Sequence, residues 1–132
     1  MAKTVSADYR DIAGEFTKRV SSKLGSKVNA ILLYGSVSRG EARKDSDIDI
    51  LIVTPYAHTW TFKDRIYTIL TDFELENDFR FLISLFIVTP NELKRQILLG
   101  TPFIRNVDED RIGLYNGRVW ERYTQKAYWK AI

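Results

Sequence analysis

The sequence predicts an α/β (α+β) domain, a mixed β-sheet of about four strands with helices packed on it. Three observations carry that expectation. Two apolar, β-rich runs, Ile31-Leu32-Leu33-Tyr34 and residues 48–53, flank a polar, basic connection and read as neighbouring strands. Apolar residues recur at helical spacing before and between such runs. No repeat, low-complexity segment or long linker divides the 132 residues, which suffice for one domain with one core.

Taken in order, residues 8–24 place Tyr9, Ile12, Ala13, Phe16, Val20 and Leu24 at helical spacing, with Asp8 and Asp11 early, Lys23 late and Gly25 as the stop. A first strand is expected over 28–33, a short helix or helical turn over 36–44, and a second strand over 48–53. The loop after Thr54-Pro55 carries His58, the chain's one histidine, and is expected to leave the sheet near the acidic end of the second strand. Phe62, Ile66, Ile69, Leu70 and Phe73 set a helix over 60–76, closed by the acidic group Asp72, Glu74, Glu76 and Asp78. Residues 79–88 are mostly apolar and predict a third strand, central or well covered. Thr89-Pro90-Asn91-Glu92 has the form of a capping box with Pro at the first helical position, so a helix runs to about Leu99, before Gly100. A second short helix starts at Pro102, residues 111–115 form a fourth strand at an edge, and Asn116-Gly117 makes the turn behind it.

Composition excludes several classes. There is no cysteine, so neither disulfides nor thiolate metal sites arise. No apolar run is long enough to span a bilayer, and the N-terminus lacks the apolar block of a signal peptide, which makes the cytoplasm the default compartment. The formal excess of +3 lies wholly in the last sixteen residues, where Arg118, Arg122, Lys126 and Lys130 face only Glu121, so the basic pI describes a tail. Val119, Trp120, Tyr123, Ala127 and Tyr128 fall near one helical face of that tail, with Trp129 beside it. So aromatic a segment is expected to pack on its own domain, a partner or a second copy. Nucleic acid is disfavoured as a partner, because no RNA-binding motif accompanies the basic stripe.

The chemistry concentrates in residues 31–53. Asp47 and Asp49 are two apart at the start of a strand, so both carboxylates leave one face, roughly 7 Å apart. Two carboxylates held so close repel, and a cation neutralises them. Gly35 permits a tight turn, and Ser36 offers a hydroxyl and a backbone N–H to an anion. Phosphate on one side and a hard cation on the other describe a metal–nucleotide site. Asp45, Asp47 and Asp49 mimic the start of a calcium-binding EF-hand loop, but Ile50 stands at the sixth position and Tyr56 at the twelfth. Gly40 is followed by Glu41, which excludes a P-loop, and two glycines alone make no dinucleotide fingerprint.

Gly35-Ser36, ten residues, then Asp47-x-Asp49, with Gly40 and the run Asp45-Ser46-Asp47-Ile48-Asp49 in between, resembles the signature of the polymerase-β-type nucleotidyltransferases. Within that superfamily the pattern is most similar to the small, stand-alone minimal nucleotidyltransferases. Asn106-Val107 and Gly113-Leu114-Tyr115 extend the resemblance less specifically to about residue 117. It therefore divides the chain into a nucleotidyltransferase domain over 1–117 and an aromatic, basic tail over 118–132, with intermolecular packing of the tail slightly favoured.

The resemblance implies transfer of a nucleoside monophosphate, most readily AMP from ATP, to an acceptor, with release of pyrophosphate. It implies that Gly35 and Ser36 hold the triphosphate, and that Asp47 and Asp49 are the catalytic carboxylates holding Mg²⁺, with Mn²⁺ as a substitute. Arg39, with Arg43 and Lys44 nearby, is either a nucleotide ligand or a solvated charge. The family pattern adds a third carboxylate in the third strand, yet residues 81–88 contain no acid. Ser84, the one polar residue there, stands by its place in the strand at that third position; alternatively Asp78, Asp72, Glu74 or Glu76 reaches the site. Two readings follow. One is a metal-dependent nucleotidyltransferase acting on a protein or small-molecule hydroxyl, which in small bacterial and archaeal members can be a tyrosine of a HEPN-type helical partner in a toxin–antitoxin pair. The other is a catalytically weak nucleotide-binding interaction protein.

Overall fold

The computed structural model describes residues 4–124. Helix α1 spans Val5–Leu24, capped by the Thr4 hydroxyl, which accepts from the Ala7 N–H at 3.1 Å. Strand β1 is Ala30–Tyr34, the short helix α2 is Ser36–Arg39, and strand β2 is Ile48–Val53. Helix α3 covers Trp60–Glu76, strand β3 Ile83–Val88, helix α4 Pro90–Leu99, helix α5 Pro102–Asp110 and strand β4 Ile112–Tyr115. Residues 119–124 are helical. The capping box at α4 is complete, with Thr89 and Glu92 each accepting from the other's backbone N–H.

The four strands form one sheet in the order β3-β2-β1-β4. Strands β1 and β2 are antiparallel, β1 and β4 are antiparallel, and β2 and β3 run parallel. The two-residue period of the strands sorts β2 between two cores. Ile48, Ile50 and Ile52 pack under α1 and α3 with Phe16, Val20, Ile66 and Phe73. Leu51 and Val53 pack on the opposite face with Ala30, Leu32, Leu93 of α4, and Ile104 and Val107 of α5. Helices on both faces explain why β1 and β2 carry nearly unbroken apolar sequence. Among the described residues no helix is long and apolar enough to cross a membrane.

The mixed four-stranded sheet with packed helices agrees with the fold class expected from sequence. Three local expectations differ. The helix expected over 36–44 ends at Arg39, because Gly40 adopts a left-handed conformation (φ +78°) and its N–H closes onto the Ser36 and Val37 carbonyls. Strand β3 starts at Ile83 and not near residue 79, since Asp78 and Phe79 take φ of +55° and +54° in a turn. It is also an edge strand and not a central one: Ile83 is buried, but Ser84 and Phe86 on the other face are exposed.

The core extends beyond residue 117. Trp120 is only 1% exposed, sits in the cluster with Leu93, Ile104 and Val107, and donates its indole N–H to Asp108 at 2.7 Å. Val119 and Tyr123 pack against the same cluster. The entry to this segment is set where Gly113 and Gly117 pass so closely that a Cβ on either would come within 2.8 Å of the other's Cα. Lys126, Ala127, Tyr128, Trp129 and Lys130 lie outside the described residues.

Trp120→Ala should therefore cost about 3–5 kcal/mol of stability, and Trp120→Phe, which loses the Asp108 hydrogen bond but keeps most of the ring, clearly less. Urea unfolding followed by circular dichroism measures both; a loss below about 1 kcal/mol for Trp120→Ala would contradict the burial of this side chain.

Candidate active site

The site is built where β1 hands over to α2. Antiparallel pairing sets Tyr34, the last residue of β1, directly opposite Asp49 of β2. The next residue, Gly35, turns the chain with φ +81°, and a Cβ placed on it would overlap the Asp49 carboxylate, with Cγ only 3.3 Å away. Only glycine satisfies both the dihedral and the approach. Ser36 then begins α2, where the first backbone N–H groups have no acceptor within the helix.

Side chains from distant elements hold this turn. Arg10 donates from Nε to the Val37 carbonyl at 3.1 Å and from Nη2 to the Ser38 carbonyl at 2.7 Å. The Ser38 hydroxyl donates to the Asp110 carbonyl at the end of α5. The connection to β2 is pinned by the Tyr9 hydroxyl on the Lys44 carbonyl at 2.9 Å and by the Ala42 N–H on Ser6 Oγ at 2.9 Å.

Asp47 is exposed just before β2, and Asp49 is half-buried within it. Burial, and then the negative charge of Asp47, push the Asp49 carboxyl above its usual range, with the Arg39 charge pulling the other way. Burial and the facing Asp49 carboxylate push the Tyr34 hydroxyl up to about 12. Two carboxylates in mutual repulsion, one lodged in a cradle that any side chain at position 35 would fill, form a donor set suited to a hard cation. Magnesium commonly takes one or two protein carboxylates and completes its shell with phosphate oxygens and water. Among the described residues no group of three or more acidic or histidine side chains could hold a metal alone. A cation at Asp47 and Asp49 would need further ligands from outside these side chains.

Arg39 projects beside the pair but is engaged elsewhere: Nη1 bonds Asp110 at 2.6 Å and Nε bonds Glu41 at 3.0 Å. Ser84 is the parallel-register partner of Asp49 and is exposed, so the strand pleat puts its hydroxyl on the same face as the carboxylate. Of the acids at the end of α3, Glu76 is paired with Arg19 at 2.5 Å, and Asp72 and Asp78 are exposed. Glu74, half-buried, lines a cleft of about 290 Å³ together with Asp47. His58 does not join the site. It follows the far end of β2, about 13 Å along the strand from Asp49, and contacts Glu92 at the start of α4. The expectation that its loop lies near the acidic pair fails because the strand runs away from the aspartates.

Tyr34 and Asp110 are the site residues the sequence did not single out. Tyr34 was visible as the residue before Gly35; Asp110 had no signal, since it meets Arg39 across 71 residues of chain.

A carboxyl raised above its unfolded value binds protons more tightly in the native state, so Asp49 removes stability as pH rises from about 4 through its folded pKa. Asp49→Asn should thus raise the melting temperature of the nucleotide-free protein at pH 7 by a few degrees and flatten its pH dependence at mildly acid pH. A lower melting temperature at pH 7 would contradict the strained seating of the carboxylate.

Comparison with known proteins gives a consistent placement. The family described as "Polymerase beta, Nucleotidyltransferase" matches residues 17–110. Three proteins of Methanocaldococcus jannaschii, each described as a "Putative protein adenylyltransferase", are similar in sequence. The first is 34% identical over 68 residues, covering 52% of this chain and 69% of the relative. The second is 46% identical over 39 residues, covering 30% and 39%, and the third 32% identical over 87 residues, covering 63% and 56%. For the second and third, the chain thus spans less than two thirds of the relative. In fold, the chain is similar to one from a "toxin-antitoxin with AMP-PNP", at a TM-score of 0.57 and 16% identity over 89% of this chain and 86% of that one. It is also similar to a "putative nucleotidyltransferase from Sulfolobus solfataricus", at a TM-score of 0.51 and 20% identity over 86% and 87%. With its Gly35-Ser36 turn seated on Asp49, the chain belongs to the polymerase β nucleotidyltransferase family.

Proposed function

We propose that the protein is a metal-dependent adenylyltransferase that moves AMP from ATP to a hydroxyl on a protein or small-molecule acceptor. We further infer that it works in the cytoplasm as the antitoxin of a pair with a HEPN-type helical toxin. The observation that carries the reading is the close approach of the Asp49 carboxylate to Gly35, which brings the carboxylate pair and the glycine–serine turn together at one end of the sheet. The relatives described as protein adenylyltransferases favour ATP and a protein acceptor, and the fold neighbour from a toxin–antitoxin with AMP-PNP favours the paired role.

In this reading Gly35 and Ser36 receive the triphosphate, and Arg39 offsets its charge from the Asp110 side. Asp47 and Asp49 would hold Mg²⁺, or Mn²⁺ in its place, and the bound ion would supply charge neutralisation for the phosphates. The acceptor oxygen bonds to the α-phosphorus as the bond to the bridging oxygen breaks. Pyrophosphate leaves with that electron pair, and the hydroxyl proton passes to solvent.

A second reading has a specific observation behind it. Ser84 stands in register with Asp49 where a third acid would complete the site, so the chain could bind nucleotide and transfer it only slowly. General-base assistance is worth roughly 10²–10⁴-fold. One assay addresses both readings, pyrophosphate release and label transfer from α-labelled ATP. Slow wild-type turnover is expected, with a rise of about 10²-fold or more in Ser84→Asp and silence when Asp47→Asn is added. Robust wild-type turnover that survives Asp47→Asn and Asp49→Asn would overturn the proposed site, and turnover absent even in Ser84→Asp would leave the binding protein.

A further inference from the structure

The free side of β3 carries an apolar strip that the sheet does not use. Ile83, Leu85 and Ile87 turn into the core under α1 and α3. Leu82, Ser84 and Phe86 alternate onto the other face, where Leu82 is 55% and Phe86 39% exposed. The Leu82 carbonyl already accepts from the Ile48 N–H at 2.8 Å, so the ladder with β2 begins there. Phe86 stacks on Phe103 with ring centroids 4.7 Å apart. At the other end the left-handed turn at Asp78 and Phe79 presents the Phe79 ring, 61% exposed, beside the cleft that Leu82 shares with Asp47. Residues 81–88 hold no charge, and Arg80 is occupied by Asp8 at 3.1 Å and by the Phe81 ring. The cleft itself mixes Lys44 with Asp45, Asp47 and Glu74.

We propose that this strip is where the acceptor docks, and that the acceptor is a polypeptide segment lying extended along β3 with apolar side chains on either side of its reacting hydroxyl. The inference rests on the transferase reading and specifies its acceptor surface. Its charge decides the class: a nucleic-acid acceptor brings a phosphate on every nucleotide and needs basic partners, which β3 does not offer. An outer strand also presents unpaired backbone groups that an added strand satisfies. With a period of two, an acceptor residue centred on Ser84 sets its second neighbours on each side over Leu82 and Phe86. Such a residue stands two strand spacings, about 10 Å, from Asp49, so its hydroxyl must sit on a long side chain.

The test uses the full chain, Mg²⁺ and α-labelled ATP with three probes. These are a peptide with tyrosine flanked two residues away on each side by leucine, the same peptide with lysine at the flanks, and a short single-stranded RNA. The leucine peptide should be labelled with a kcat/KM about tenfold or more above the lysine peptide, the return on burying an apolar side chain, and the RNA not at all. Leu82→Asn, which adds no charge beside Asp47, should lower labelling of the leucine peptide by a similar factor while leaving the Mg-ATP shift in melting temperature at its wild-type value. Phe86→Ser, a milder change, should do the same. Equal labelling of the two peptides, labelled RNA, or an unaffected Leu82→Asn would each overturn the docking surface alone, whereas no labelled peptide beside a normal Mg-ATP shift would remove the transferase reading and this inference with it. A wild type with no Mg-ATP shift would sink the transferase reading and this inference with it.

Discussion

The approach of the Asp49 carboxylate to Gly35 is the constraint on which the rest of the structure depends. It requires an antiparallel β1–β2 pair whose register ends at Tyr34 and Asp49, and a glycine at the first residue beyond. It also requires a rigid sheet, which helices packed on both faces supply. Arg10 of α1 and the Asp110 carbonyl at the end of α5 hold α2, a four-residue helix that could not persist alone, and Ser6 pins the connection that follows it. The result is a carboxylate placed where burial and Asp47 both disfavour its charge, a local cost that a cationic ligand would relieve.

The open side of the site follows from the same arrangement. Helices α4 and α5 cover Leu51 and Val53 but leave Asp49, Ser84 and Leu82 outside. In the proposed reading, the nucleotide and its acceptor meet on this side of the aspartates, which α4 and α5 do not cover. On the proposed reading, Ser84 stands where the family pattern has an acid, so the chain would keep the parts that receive a triphosphate and lack one that speeds attack. This division fits a protein whose reaction depends on what docks beside it.

Much of this was legible in the chain. The glycine–serine turn, the spaced aspartates, the bounds of β2 and the capping box of α4 rest on interactions among neighbours in sequence. What the sequence hid depends on pairing between distant segments. An apolar run such as residues 81–88 reads alike in a central strand and in an edge strand with one exposed face, because composition does not reveal which neighbours are present. The direction of β2 carried His58 away from the aspartates, and nothing local states that direction relative to the site. Arg39 looked free because Asp110 lies far along the chain, and Trp120 looked external because its cavity is lined by α4 and α5.

On the proposed reading, Asp47 and Asp49 bind a metal together with a triphosphate and not before it. Electron paramagnetic resonance of Mn²⁺ titrated with the protein reads this directly, as free Mn²⁺ gives a strong signal and bound Mn²⁺ a weak one. Measured against the same analogue and Mn²⁺ without protein, since the triphosphate binds Mn²⁺ itself, adding a non-hydrolysable ATP analogue should make protein-bound Mn²⁺ about tenfold tighter or more, and Asp47→Asn should abolish the gain. Mn²⁺ bound equally well with and without the nucleotide, or a gain that persists in Asp47→Asn, would contradict the account.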